Sequence, residues 1–153
     1  MKIIETFVIL ALLSMLALTG ISSYTHYYKN KEFDTAIAQF IHAVDFAKKM
    51  SIASNEVVYV CASTTKLECD TSWKGPLFVF TSDNPTHIQN TLQKFSALPA
   101  DVTLDIQGLK EPTLYFMPDS ESANNSTLIF KMGQRTHLFT LSKTGVLNDA
   151  DSQ

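Results

Sequence analysis

From Ile3 to Ile21 the chain reads IIETFVILALLSMLALTGI, and within that run a single side chain, Glu5, carries a charge. About 20 consecutive apolar residues are what a helix needs to cross the hydrocarbon core of a bilayer. An acid inside such a segment is costly enough to be read as functional, with a partner to be found. Two plainer readings stand beside it. The segment fits a signal peptide or simple anchor, although Lys2 is a thin basic start and no small-x-small cleavage site follows. Alternatively, Glu5 stays hydrated near the lipid head groups.

The helical pattern does not end with the apolar run. After Ser22, Ser23 and Tyr24, apolar residues recur as Phe33, Ile37, Phe40, Ile41, Val44, Ala47 and Met50, the spacing of one helix face. Lys29, Lys31, Glu32, Asp34, Gln39, Asp45, Lys48 and Lys49 fall mainly off that face. The second half is therefore expected to lie on an apolar surface with its other side in water.

Beyond residue 55 the period shortens from 3.6 to 2. The runs 57–62 and 77–80 (VVYVCA and LFVF) read as strands. Further short strands are expected at 93–96, 102–106, 113–117, 127–131 and 137–142. Between them lie SDNPT, ALPAD, GLKEP and PDSESANNS, rich in turn formers. One long helix followed by many short antiparallel strands predicts an α+β domain with its sheet on the helix stripe. The boundaries expected are 1–22 for the membrane half of the helix, 23–55 for its amphipathic half, 56–148 for the β-rich globular domain and 149–153 for a flexible tail.

With 12 lysines and arginines against 15 acids, the formal charge is -3, and Arg135 is the single arginine. That balance offers no general attraction for nucleic acid. Cys61 and Cys69 bracket a polar loop that leaves the first strand. They read either as a disulfide, which would need an oxidising compartment such as a periplasm, or as two independent thiols. The histidines, 26, 42, 87 and 137, have no metal-ligand spacing, so neither metal nor other cofactor is expected. There is no nucleophile elbow, phosphate loop or paired-acid motif, and no enzyme is expected. Trp73, Phe78, Phe80, Tyr115, Phe116 and Phe139 read as core. The loops SDNPTHIQN and PDSESANNSTL are the better places for partner contact. Counting lysines beside the apolar run, Lys29 and Lys31 against Lys2, would put the globular domain in the cytoplasm. The cysteine pair argues for the outside and is given more weight here, which makes a single-pass inner-membrane protein with a periplasmic domain.

An apolar N-terminal helix with glutamate at the fifth position, running into an amphipathic helix and a small β domain, resembles type IV pilins and type II secretion pseudopilins. The stretch AVDFAKKMSIASNEVVYVCASTTKLECDTSWKGPLFVF resembles more closely the GspH/FimT class of minor pilins. There a helix end leads to a strand with a Cys, then a second Cys, a Trp and a Gly-led apolar strand. Cys61, Cys69, Trp73, Gly75 and Leu77 to Phe80 hold those places. The segment LIFKMGQRTHLFTLSKTG, with Gly133 and Gly145 at its turns, resembles the closing strands. Family precursors carry a short basic leader cut before a residue that is then N-methylated. With Met1 first, the options are mature numbering, a displaced start or a divergent member. Thr6 and Phe7 stand where leucine is usual, and no proline lies near position 22.

The resemblance implies a pilin-like fold and a structural subunit that assembles by packing N-terminal helices. Other pilins or pseudopilins and the inner membrane would be its partners, with Glu5 meeting the N-terminal amine of a neighbour. Some FimT-type members bind DNA through a Gly-Arg-x-Arg motif, whose place is held here by Gly145-Val146-Leu147-Asn148. Without those arginines, only Lys131, Arg135 and Lys143 remain for weak DNA contact, with Asp149 and Asp151 close by. A DNA-capturing minor pilin and a membrane-tethered periplasmic protein outside any filament are the alternatives.

Overall fold

The computed structural model describes residues 3–119 and 125–150, and the side chains of all these except 16–24 and 26. The order is one helix, α1 (Ile3–Ser54), then β1 (Val58–Ala62), β2 (Pro76–Thr81), β3 (Asn90–Ala97), β4 (Thr103–Gln107), β5 (Leu114–Phe116), β6 (Ser126–Met132), β7 (Arg135–Leu141) and β8 (Leu147–Asp149). The chain divides into two compact units, Met1–Asp34 and Thr35–Gln153. The described part of the first is helix. The second holds the rest of α1 and all the strands.

Each expected strand exists, with ends shifted by a few residues, but the strands form two antiparallel sheets rather than one. The first has the order β3-β2-β1-β5 and the second β4-β6-β7-β8. Of the segment 149–153 expected as a flexible tail, Asp149 closes β8. Leu147 and Asn148 stand opposite Leu141 and Thr140 of β7, and the Ala150 amide donates to the Leu138 carbonyl at 3.0 Å. Residues 151–153 lie outside the described part.

In the second unit, α1 buries Ala36, Ile37, Phe40, Ala43, Val44, Ala47 and Ser51, the three-and-four spacing of a single stripe. Three of these positions, Ala36, Ala43 and Ala47, are small. Phe40 bulges between them, with its ring 5.5 Å from Phe130 of β6 and 6.1 Å from Trp73, both edge-on. Phe46 meets Phe95 of β3 at 6.5 Å. The helix thus packs on both sheets. Asn55, at φ 56, closes it; this left-handed position just past the last turn is one asparagine tolerates well.

Alternation along the strands decides what each sheet face carries. In the first sheet Val58, Val60, Ala62, Leu77, Val79, Leu114 and Phe116 share the buried inner face. Tyr59, Cys61, Phe78, Phe80 and Tyr115 share the outer one. As expected, Trp73, Phe78, Phe80, Phe116 and Phe139 are buried, whereas Tyr115 is only half-buried.

Cys61 and Cys69 are joined in a disulfide, with Cα atoms 5.7 Å apart. Because Cys61 points outward, the bond draws the 63–75 loop over the outer face. The Cys69 amide donates to the Thr86 carbonyl and the Ile88 amide to the Leu67 carbonyl, so this loop and the one at 82–89 brace each other. Gly75 sits where a Cβ would come within 2.6 Å of the Ser63 backbone. Trp73 holds a positive φ of 51, rare for a bulky residue. Its burial against Phe40 offsets the strain.

Replacing both cysteines by alanine releases a short closed loop and should lower unfolding free energy by about 2–3 kcal/mol. Chemical denaturation of oxidised, reduced and double-alanine protein checks this, and the reduced form should behave like the variant.

Candidate assembly and binding surfaces

Glu5 lies in the first turn of α1 and is exposed, where a carboxylate also suits the helix dipole. Around it the helix is apolar on every side. Ile3, Ile4, Phe7, Val8, Ile9, Leu10, Leu12, Leu13 and Met15 are each 50% or more exposed. The two hydroxyls among residues 3–15 turn back on the helix: Thr6 donates to the Ile3 carbonyl at 2.7 Å and Ser14 to the Ala11 carbonyl at 2.8 Å. Self-satisfied hydroxyls are what an apolar surrounding requires. Among the described residues no helix is long and apolar enough to cross a membrane. The side chains of 16–24, the far part of the expected span, and Lys2 lie outside them.

The three cations considered for DNA do not converge. Lys131 stands opposite Thr136 in the β6–β7 ladder, and Arg135 opposite Met132. Neighbouring ladder positions point to opposite faces, so the two side chains leave the sheet on different sides. Lys143 follows the far end of β7, about 20 Å along a strand from Arg135. Asp149 adds negative charge beside this sheet, with its Oδ2 3.3 Å from His137 Nε2.

The place of the arginine-bearing motif is a tight turn tied to the helix. Gly145 has φ 66, and Lys48 Nζ donates to the Thr144 and Gly145 carbonyls at 3.1 and 3.3 Å. Lys48 was expected on the solvent side of the helix. It is half-buried and serves the turn instead.

Sequence reasoning missed two clefts flanking Tyr59. One, of about 350 Å³, is floored by the outward residues Val57, Tyr59, Thr113, Tyr115 and Met117 and walled by Pro85, Lys110 and Glu111. The other, of about 380 Å³, lies between Tyr59 and Glu56, Thr81, Asp83 and Asn90. The signal was present in the alternation of 57, 59, 61 against 113, 115, 117, but the pairing of β1 with β5 spans more than fifty residues. The Tyr59 ring stacks on Phe80 at 5.6 Å and tilts against Tyr115 at 6.2 Å. Burial raises its phenol pKa above the ordinary 10.0, and the nearby charges of Glu111 and Asp83 add to the rise. Among the described residues no group of three or more acidic, histidine or cysteine side chains could hold a metal.

A long helix whose second half packs on a small antiparallel β domain, with exposed apolar residues from Ile3 to Met15, is the architecture of a pilin-like subunit. Residues 36–145 match the family model described as type II transport protein GspH, and the chain belongs to that family. Two solved structures are similar in fold. The type IV minor pilin FimU of Pseudomonas aeruginosa gives a TM-score of 0.67 at 14% identity, over 80% of this chain and 91% of that one. The minor pseudopilin EpsH of the type 2 secretion system of Vibrio cholerae gives 0.52 at 18% identity, over 78% and 96%. No curated protein sequence matches the chain. The family comprises structural pilins and pseudopilins rather than enzymes, and the resemblance of the sequence to GspH/FimT minor pilins is thereby confirmed.

Two outcomes follow from this geometry. In a mobility-shift assay, duplex DNA binding should be weak at low salt and lost near physiological salt, with Arg135→Ala changing it little, because few phosphates can be neutralised together. In an alkaline titration followed by tyrosinate absorbance, a component ionising above pH 10.0 should appear, and Tyr59→Phe should remove it. Since the folded pKa is the higher one, the protein keeps the full contribution of Tyr59 below pH 10.0. That contribution is lost as pH rises through the folded value.

Proposed function

We propose that this chain is a minor pilin or pseudopilin subunit, held in the inner membrane by the apolar half of α1 and built into a filament by packing that half against neighbouring helices. The globular domain then lies in the periplasm or on the filament. The observation that carries this reading is the apolar surface of residues 3–15. Burying one large apolar side chain contributes about 1.5–3 kcal/mol, so nine of them left in water represent a cost on the order of 10 kcal/mol or more. Lipid covers such a surface before assembly and partner helices cover it afterwards.

Glu5 is the single ionisable group in that stretch. A carboxylate leaving water for a helix bundle needs a cation, and the N-terminal amine of an adjacent subunit is the partner we assign. The pairing fixes the axial register of one helix against the next more than it adds stability. The oxidising compartment that a Cys61–Cys69 disulfide needs agrees with a periplasmic domain. The scattered cations leave DNA capture without a surface of its own.

Glu5→Leu should leave membrane insertion intact, measured by membrane fractionation, and reduce recovery of the subunit in sheared filaments at least about tenfold, the effect of roughly 1.4 kcal/mol at the helix contact. Wild-type recovery would remove the role assigned to Glu5.

A further inference from the structure

The outer face of the first sheet carries a feature that filament packing through α1 leaves unused. Val57 and Tyr59 on one side and Thr113, Tyr115 and Met117 on the other floor an open slot, and Tyr59 separates it from the second cleft. Three carboxylates stand on the rims, Glu56, Asp83 and Glu111, against one cation, Lys110. All four are exposed. Among the described residues none of the three acids is held in an ion pair.

The same sheet face already seats an ammonium on an aromatic ring. Lys94 Nζ lies 5.8 Å from the centroid of Phe78, its ladder partner. A tyrosine face with uncompensated acids beside it offers a second cation both of the terms it seeks, ring quadrupole and counter-charge. The apolar floor, Val57 and Met117 included, suits the methylene stem that carries such a charge.

We propose that the clefts around Tyr59 form a docking site for a basic segment of a partner protein, a lysine or arginine side chain lying on Tyr59 and Tyr115 with its charge among Glu56, Asp83 and Glu111. Charge complementarity selects this occupant over an acidic peptide or a nucleic-acid backbone, both of which the rim repels. Burial raises the phenol pKa of Tyr59, and the charges of Glu111 and Asp83 add to the rise, which places these two acids within electrostatic reach of the ring. The site stands independently of the assembly role of α1.

The test is a titration of the full-length, detergent-solubilised protein, labelled for amide NMR, with acetylated trilysine amide. Saturable shifts should centre on the amides of 57–59, 83–84, 86, 110–111 and 113–117 and should weaken as salt is raised. Tyr59→Leu should weaken binding about two- to five-fold, the worth of an exposed cation on a ring, and Tyr59→Phe should retain it. Glu111→Gln with Asp83→Asn, both at exposed positions, should weaken it again without altering the denaturation midpoint. Trilysine acetylated on its side chains and triglutamate should give no shifts at these residues. Shifts spread over the whole surface, equal binding by triglutamate, or an affinity unchanged in both Tyr59→Leu and the double carboxamide variant would each overturn the proposal. Filament recovery of these variants should match the wild type, which separates this site from Glu5.

Discussion

The meeting of Phe40 with Phe130 and Trp73 is what the globular part rests on. Phe40 is wholly buried and is flanked along its helix face by the buried Ala36 and Ala43, so its ring is the large group that the helix sends into the core. Trp73 reaches it from the segment between Cys69 and β2, and the positive φ at Trp73 persists because that contact holds the indole in place. Phe130 brings the second sheet, whose own core continues to Phe139 at 6.1 Å. Helix, the 63–75 loop and the second sheet thus share one aromatic junction, and the first sheet meets the helix separately through Phe46 and Phe95.

The elements that local pattern controls were legible in the sequence. The stripe from Phe33 to Ala47 is a matter of spacing, and the alternation in VVYVCA and LFVF follows from the pleat. What could not be read was which strand pairs with which. β5 joins β1 although three strands intervene in the chain, and β4 joins β6 across β5, so the two-sheet division depends on contacts distant in sequence. β8 was missed for a different reason: Leu147-Asn148-Asp149 has neither the length nor the β-branched content of a strand and is held by its neighbour β7.

The candidate sites divide in the same way. Glu5 and the cysteine pair stand out because each is the exception in its surroundings, an acid among aliphatics and two thiols around a polar loop. The grouping of Lys131, Arg135 and Lys143 was drawn from closeness in sequence, and strand geometry separates them. Lys48 shows the reverse: a residue assigned to solvent by its position off the stripe is long enough to reach the β7–β8 turn.

Three side chains, Gln39, Lys48 and Ser51, link the helix to the Ser96 carbonyl after the Phe95 contact, to the Thr144 and Gly145 carbonyls, and to the Met117 carbonyl. They span little more than three turns yet end on three different parts of the β structure. The links act like rivets across a lap joint, each seated in a different piece of the β structure. A domain fastened in this way holds residues 39–51 of its helix at three separate places, so loss of any one link leaves two.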